Sequence, residues 1–301
     1  MSSRREPFPG AGRELLLPGH TACQGCGGAL AMRLALGALG EQTVVVIPAC
    51  CWSIIAGPFP YCSLRVPVIH TAFETAGAVS SGVRAALEVT GQHDVQVLSW
   101  AGDGGTFDIG LQSLSGAVER NENVLFVCYD NEGYMNTGIQ RSSATPQMAW
   151  TTTTPESYPK ETPKKNIVDI MAAHKIPYAA TASVAFPDDL IGKFCKAAAI
   201  EGSRFIHILS PCPPGWRIPS DQAIRVTRMA TNSKVFPIYE IINGDDYIIN
   251  VEPREIPVRA YLETQGRFSH LDDRQVEQIQ KRVNFEWERL LHKAMMNRFD
   301  E

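Results

Sequence analysis

The sequence predicts an α/β fold with a mostly parallel sheet and helices on both of its faces. Between about residues 28 and 210, apolar β-branched runs of strand length alternate with helical stretches. Strands separated by helices of this length are typical of βαβ units. The chain has 301 residues, of which 44% are hydrophobic and 20% charged, the balance of an ordinary folded protein. This length suits one large α/β core with an appendage, or two modest domains.

The strands and helices of this region follow one another in order. The run 43–49 (TVVVIPA) is continuously apolar, as expected for a strand buried on both faces. The other predicted strands are 66–70, 95–101, 123–130, 177–184 and 204–210, and the predicted helices are 28–40, 72–91, 106–120, 167–175 and 187–200.

Two regions break the alternation. Residues 131–165 are rich in Thr, Pro and Asn, and so long a stretch without helix or strand pattern usually serves a function or is covered by a partner. After about residue 231 the pattern indicates a hairpin that turns at Asn243-Gly244-Asp245. We therefore expect an α/β domain over 1–230 and a C-terminal extension over 231–301 that packs on the body or on a partner. The extension ends in a helix over about 273–296, whose apolar face comprises Val276, Ile279, Val283, Trp287, Leu290 and Ala294.

Charge and cysteine content exclude several classes of protein. The formal net charge is −4, which gives no electrostatic indication of nucleic acid or of an anionic membrane. No apolar run approaches the roughly 20 residues of a membrane helix, and the first residues lack the apolar core of a secretory signal. Eight cysteines are too sparse for a disulfide scaffold. We expect free thiols and a cytoplasmic protein.

The first candidate site follows the strand 95–101. It continues into Gly102-Asp103-Gly104-Gly105, with a helix starting directly afterwards. Glycines allow a ligand to approach the backbone, a helix N-terminus offers N–H groups to phosphate, and Asp103 supplies an oxygen for Mg²⁺. The next strand ends at Asp130-Asn131, after 26 residues that separate Gly104 from Asn131, which is the spacing of the thiamine-diphosphate motif. The alternative is a Gly-rich turn with an Asp helix cap.

The second candidate site is a set of four cysteines. Cys23 and Cys26 form a C-x-x-C in a Gly-rich loop, Cys51 follows the first buried strand, and Cys212 follows the last. All four are expected at the sheet edge that carries Asp103. They suit a [4Fe–4S] cluster or a structural Zn²⁺, and the C-x-x-C alone could be a redox pair. The cysteines without a spacing partner are interpreted as small buried hydrophobes, with Cys50 the ambiguous case beside Cys51: Cys50, Cys62, Cys128 and Cys195.

Together the two sites resemble the β subunits of 2-oxoacid:ferredoxin oxidoreductases, most closely the pyruvate type (pyruvate synthase). The resemblance spans nearly the whole chain. It is carried by GHTACQGCG (19–27), HTAFETAGAVSSG (70–82), AGDGGTFDIGLQSLSGA (101–117), YDNEGYMNTGIQRSSATP (129–146), PKKN (163–166), SPCPPGW (210–216) and YLETQGRFSHL (261–271).

The resemblance implies a thiamine-diphosphate-binding fold and a role for each matching residue. Cys23, Cys26, Cys51 and Cys212 would hold the [4Fe–4S] cluster, with Cys51 also beside the thiamine cofactor. Gly102 to Gly105 would line the diphosphate. Asp103, the Asn131 side chain and the Gly133 carbonyl would coordinate Mg²⁺, and Asn136 would face the thiazolium and the substrate.

The resemblance also implies the reaction and the partners. A 2-oxoacid, with pyruvate favoured, would be decarboxylated on thiamine diphosphate, electrons would pass through the cluster to ferredoxin, and coenzyme A would take the acyl group.

An α-type subunit would supply the catalytic glutamate and a substrate-binding arginine. Glu74 and Glu132 of this chain are candidates for that glutamate, and Glu74 is interpreted as structural. Further clusters would lie on a ferredoxin-like δ subunit, and a γ subunit or fused equivalents would complete the complex. The chain alone should be inactive.

One segment departs from the family. Pyruvate-type relatives often have Gly before the cysteine that corresponds to Cys51 and Leu-Glu after it, whereas this chain has Cys50 before and Trp52-Ser53 after. Related subunits serve oxalate and branched-chain 2-oxoacids, and this loop could indicate a smaller or more polar substrate such as oxalate, for which coenzyme A would be unnecessary. From other classes, a non-redox thiamine-dependent decarboxylase and a zinc-binding assembly subunit remain alternatives.

Overall fold

The computed structural model describes residues 14–296. Eight strands form one sheet in the order β2-β1-β3-β4-β6-β5-β7-β8. The first six are parallel to their neighbours, and the last two are antiparallel. The strands are β1 Thr43–Pro48, β2 Val68–Thr71, β3 Gln96–Gly102, β4 Leu125–Asp130, β5 Tyr178–Ser183, β6 Arg204–Leu209, β7 Tyr239–Ile242 and β8 Asp246–Ile249. All six strands predicted between 43 and 210 are confirmed within two residues at either end.

Helices cover both faces of the sheet, as predicted. Met32, Leu36 and Phe194 pack on one face and Leu114 and Trp287 on the other, each in a separate apolar cluster. The helices are α1 Gly27–Leu39, α2 Trp52–Ile55, α3 Ala76–Val89, α4 Leu111–Glu119, α5 Ile167–Ala173, α6 Pro187–Ala198, α7 Pro213–Trp216, α8 Ala223–Asn232, α9 Val258–Leu262 and α10 Asp273–Met296. Of these, α2, α7, α8 and α9 were not predicted. No helix among the described residues is long and apolar enough to cross a membrane.

The predicted helix 106–120 is divided in two. A π-helical turn, Gly104–Asp108, follows β3 directly, and α4 begins only at Leu111. A Cβ on Gly110 would lie 1.9 Å from the Gly105 carbonyl oxygen, so the wide turn closes only over a residue without a side chain. Single π-helical turns of this kind are frequent at functional sites.

The C-terminal segment adds to the main sheet. Its hairpin turns where predicted, through the three residues between Ile242 and Asp246, of which Asn243 and Gly244 have positive φ. The first strand of the hairpin, β7, pairs with β5. On α10, the predicted face packs inward, with Val276, Trp287 and Leu290 buried.

Candidate active site

Two buried aspartates lie side by side where β3 and β4 end. The register Gly102↔Tyr129 places Asp103, directly after β3, next to Asp130 at the end of β4. The Ser142 hydroxyl donates a hydrogen bond to Asp103 Oδ2. Burial and the negative charge of Asp130 raise the pKa of Asp103 well above its usual value, although Ser142 and Lys164 oppose the shift. The two carboxyl groups therefore concentrate negative charge at this end of the sheet when both are ionised.

The glycines that follow β3 allow unusually close packing. A Cβ on Gly104 would lie 2.1 Å from the Tyr134 ring, and one on Gly102 would lie 3.3 Å from the Tyr129 hydroxyl. Tyr134 is itself fixed, because its hydroxyl donates to Asp108 Oδ2 at 2.6 Å. Glycine is therefore required at Gly104 for the loop after β4 to reach the end of β3.

The loop after β4 carries the other predicted magnesium ligands. Asn131 is buried, its carbonyl accepts a hydrogen bond from Trp216 Nε1 at 2.8 Å, and its amide nitrogen lies 3.9 Å from Cys51 Sγ. Gly133 is buried two residues further on, whereas Asn136 is exposed on the outside of the same loop. The structure thus brings Asp103, Asn131 and Gly133 to one sheet edge and places Asn136 at the adjoining surface.

The loop after β4 packs on a buried ion-pair network, which consists of Asp130, Glu132, Lys164, His207 and Arg267. Lys164 Nζ is 2.5 Å from Asp130 and 2.8 Å from Glu132, and Arg267 Nη2 is 2.6 Å from the other oxygen of Glu132. His207 Nε2 lies 2.7 Å from Asp130 Oδ2. Burial alone would raise the pKa of Asp130, but Lys164 and His207 hold it at about 2. Burial keeps the pKa of His207 below its usual value.

The ion-pair network argues against Glu132 as the catalytic glutamate. Both of its carboxylate oxygens are engaged, one by Lys164 and the other by Arg267. Glu74, the other candidate on this chain, is exposed, and its backbone carbonyl accepts a hydrogen bond from the Ser113 hydroxyl at 2.6 Å. Glu132 therefore holds structure together at this edge.

The cysteine segments meet at the same edge of the sheet. Gly27, the first residue of α1, donates its N–H to the Pro211 carbonyl at 2.9 Å, and a Cβ there would lie 2.3 Å from the Pro211 ring. This contact brings Cys26 to Cys212, because each cysteine adjoins one of the touching residues. Cys26, Cys51 and Cys212 are the N-cap residues of α1, α2 and α7.

The four thiols act on one another electrostatically. The pKa of Cys51 is raised to about 12 by burial, then by the adjacent Cys50, and after it by Cys212 and Cys26. Burial also raises the pKa of Cys212 to about 12, and Cys26 and Cys23 add to the shift. Among residues 14–296, no three Cys, His, Asp or Glu side chains are arranged as a finished metal site. The cysteine thiols of these segments are therefore neighbours at this edge.

Cys50 has a different environment from Cys51. Burial raises its pKa, and its side chain interacts with the Tyr129 hydroxyl and with the backbone of Trp52, Ser53 and Gly102. The thiols of Cys212 and Cys26 appear among the neighbours of Cys51 instead. This difference favours Cys51 as the member of the four-cysteine set.

The residues that depart from the family pattern after Cys51 serve packing. Trp52 is fully buried and contacts Trp100 edge to face at a ring separation of 6.4 Å. The Ser53 hydroxyl accepts the Cys50 N–H at 3.1 Å and donates to the Pro48 carbonyl at 3.4 Å. Both side chains are therefore used to fold this loop onto the core.

A cavity of about 460 Å³ opens on the far side of the ion-pair network. Lys164 and His207 belong to its wall, which is otherwise formed mainly by the segment after residue 163, by residues 234–239 and by α9 and α10. Asp103, Asn131 and the four cysteines are not part of this wall. Ser142, Thr145 and Arg267, which contact Asp103 or Glu132, were not predicted as site residues, because each reaches this edge from another segment of the chain.

Comparisons with known proteins identify the family to which the chain is similar. Residues 56–208 match the family described as "Thiamine pyrophosphate enzyme, C-terminal TPP binding domain". The ketoisovalerate oxidoreductase subunit VorB of Pyrococcus abyssi is 51% identical over 92% of this chain and 95% of its own length. The pyruvate synthase subunit PorB of Methanothermobacter marburgensis is 47% identical over 90% of this chain and 95% of its own length.

A solved structure shares the fold. The 2-oxoglutarate:ferredoxin oxidoreductase from Magnetococcus marinus, solved with 2-oxoglutarate, coenzyme A and succinyl-CoA bound, matches 75% of this chain and 82% of its own. The TM-score is 0.59 and the sequence identity 24%. The fold prediction of a parallel thiamine-diphosphate-binding sheet is confirmed.

Proposed function

This chain belongs to the β subunits of the 2-oxoacid:ferredoxin oxidoreductases, and we propose that it holds thiamine diphosphate, Mg²⁺ and a [4Fe–4S] cluster at one edge of its sheet. The supporting observation is that Asn131, from the diphosphate edge, lies 3.9 Å from the sulfur of Cys51, from the cysteine set. Two sites in contact give an electron a short first step.

The residues present fit a magnesium-bound diphosphate. Asp103 offers a carboxylate, Asn131 an amide oxygen and Gly133 a carbonyl, which are the hard oxygen ligands that Mg²⁺ prefers. The burial of Asp103 beside Asp130 supports the proposal, because a divalent cation would compensate the negative charge. Gly102, Gly104 and Gly105 would line the diphosphate, and Asn136 would face the substrate.

The cysteines fit an iron–sulfur cluster or a zinc ion by ligand type. Four thiols from three segments are neighbours at this edge, and cysteine thiolates are the ligands of both centres. A zinc ion would have no electron to transfer beside the thiamine site, so we assign the cysteines to a cluster. Bound there, a [4Fe–4S] cluster would supply one-electron redox chemistry.

Bound thiamine diphosphate would supply the electron sink for decarboxylation of a 2-oxoacid. This chain's contribution is to position the cofactor through Asp103 and Asn131. The glutamate needed for proton transfer is assigned to an α-type subunit, because Glu132 is engaged by Lys164 and Arg267. Ferredoxin is the proposed electron acceptor, and γ and ferredoxin-like δ subunits, or fused equivalents, the remaining partners. The proposed compartment is the cytoplasm.

The proposed substrate is a small aliphatic 2-oxoacid, with coenzyme A as the acyl acceptor. Pyruvate was favoured on sequence, and the similar proteins include subunits named for pyruvate synthase and for ketoisovalerate oxidoreductase. The unusual Trp52 and Ser53 gave the reason to consider oxalate. Because both serve packing, they no longer support a more polar substrate.

The test is to produce the chain together with its partner subunits under anaerobic conditions. Iron, acid-labile sulfide and thiamine diphosphate are measured, and then reduction of a viologen with pyruvate, ketoisovalerate and oxalate. We expect four irons per copy of this chain in addition to those of the δ-subunit clusters, bound thiamine, and coenzyme A-dependent reduction with one of the first two acids. Stoichiometric zinc without thiamine would indicate an assembly subunit instead, and thiamine without iron a non-redox decarboxylase. Activity of the isolated chain would overturn the proposal that an α-type subunit supplies part of the active site.

A further inference from the structure

The backbone carbonyl of Asn131 is bound by a side chain remote in sequence. Trp216 is fully buried, and its Nε1 donates a hydrogen bond to the Asn131 carbonyl at 2.8 Å. Trp216 belongs to the PCPPGW segment that also carries Cys212. The indole N–H of Trp216 therefore binds a backbone carbonyl in the loop that carries the proposed magnesium ligands.

Arg267 fixes both Trp216 and Glu132. Its guanidinium lies over the Trp216 ring at 4.2 Å from the centroid and pairs with Glu132 Oε2 at 2.6 Å. The Gln265 side chain accepts its Nε–H at 2.9 Å, and only 2% of the Arg267 side chain is exposed. A planar guanidinium can stack and form ion pairs at once, which an ammonium group cannot do.

Glu132 needs this support because of its backbone. Its φ is +70°, in the left-handed region that residues with a side chain seldom adopt. Asp130 Oδ1 accepts the Glu132 N–H at 2.8 Å, and the Thr145 hydroxyl donates to the Glu132 carbonyl at 2.8 Å. With its side chain held by Lys164 and Arg267, the residue between Asn131 and Gly133 has every polar group engaged.

We propose that Trp216 and Arg267 are positioning residues that hold the Asn131–Gly133 loop in the conformation that binds magnesium diphosphate. The inference rests on the proposed function, since it takes Asn131 and Gly133 as ligands. It gives the C-terminal segment beyond residue 231 a direct part in cofactor binding, through one arginine 135 positions away from Glu132. It also assigns a role to the PCPPGW and QGRF motifs other than cluster binding.

The test uses the assembled complex with Trp216→Phe, which keeps a ring beneath Arg267 and removes the indole N–H. The dissociation constant of thiamine diphosphate with Mg²⁺ is measured by equilibrium dialysis, together with the iron content and visible spectrum. We expect about tenfold weaker binding, because the buried Asn131 carbonyl loses its donor. The iron content should be unchanged, and kcat at saturating cofactor should stay within about twofold of the parent value.

Two further variants separate positioning from general stability. Arg267→Lys keeps the charge opposite Glu132 but loses the stacked plane, so we expect a smaller loss of affinity in the same direction. Trp287→Phe removes a buried indole on α10, remote from the loop, and should leave the affinity unchanged.

The outcomes are distinct. Affinities within twofold of the parent for both Trp216→Phe and Arg267→Lys would overturn the inference. So would failure of both variants to assemble when Trp287→Phe assembles, since the role would then be structural only. If the parent complex itself binds no thiamine diphosphate, the proposed function fails, and the inference fails with it.

Discussion

The two halves of the candidate site are built in different ways. One half, around Asp103 and Asp130, is called the carboxylate edge here, and the other, around the four cysteines, the thiol edge. At the carboxylate edge, Ser142 donates a hydrogen bond to Asp103, and Lys164 and His207 both contact Asp130. At the thiol edge, backbone contacts bring the segments together, and the N-cap side chains of Cys26, Cys51 and Cys212 cap none of the helices they begin. The carboxylate half is held mainly by side-chain hydrogen bonds and ion pairs, whereas the thiol half is held mainly by contacts of the backbone.

The charge states explain this difference. A buried carboxylate needs hydrogen bonds or a counter-ion, so the protein must supply partners at the carboxylate edge. A buried thiol can remain neutral, and burial raises the pKa of Cys51 and of Cys212 to about 12. Metal ligation then requires loss of those protons, which couples metal binding to folding of the segment. Substitutions at the thiol edge should therefore change the iron content, and substitutions at the carboxylate edge should change the binding of thiamine diphosphate.

The largest effect is expected from Cys26→Ala. Loss of one thiolate should remove the cluster, so iron content falls and viologen reduction drops to the background without enzyme. Binding of thiamine diphosphate should stay within about threefold of the parent value, because the carboxylate edge is organised by its own hydrogen bonds. Cys195→Ala, which alters a thiol on α6, is the matched control and should keep full activity. Retention of the cluster in Cys26→Ala would remove this residue from the ligand set.

The reciprocal change is Asp103→Asn. Replacing the carboxylate by a neutral amide should weaken magnesium-dependent thiamine binding by more than about 100-fold, since even residues behind metal ligands often cost 10- to 100-fold. Iron content and the visible spectrum should be unchanged. Equilibrium dialysis and iron analysis on the same preparation check both statements. A parallel loss of iron would show that the two halves are not built independently.

A smaller effect is expected from Lys164→Met, which tests the network under the carboxylate edge. The substitution leaves Asp130 and Glu132 buried with one cation fewer, and breaking a buried pair typically costs about 3 kcal/mol or more. The midpoint of urea denaturation of the complex, followed by tryptophan fluorescence, should fall. Lys281→Met, which removes an exposed pair with Glu277, is the control and should leave the midpoint unchanged. Equal midpoints for the two variants would contradict a structural role for Lys164.

The sequence predicted the strands and the residues that end them, because buried parallel strands have a strong apolar pattern and their ends share an edge. Asp103, Asn131 and the cysteine segments were found in this way. Lys164 and Arg267 were not assigned to the edge, since their place depends on how the 131–165 segment and the C-terminal residues fold back across the sheet. The π-helical turn after β3 was also missed, because it depends on contact between Gly105 and Gly110 rather than on periodicity.

The smallest effect is expected from Ser53→Ala, in the loop that departs from the family pattern. The hydroxyl accepts the Cys50 N–H and donates to the Pro48 carbonyl, so its loss should cost about 1 kcal/mol of stability. Substrate choice should not change, because the side chain serves the fold of the loop rather than a pocket. The ratio of kcat/KM for pyruvate and ketoisovalerate is the measurement, with oxalate as a third substrate. A shift of more than about threefold in that ratio would return this loop to substrate selection, and would place specificity on the thiol side of the site.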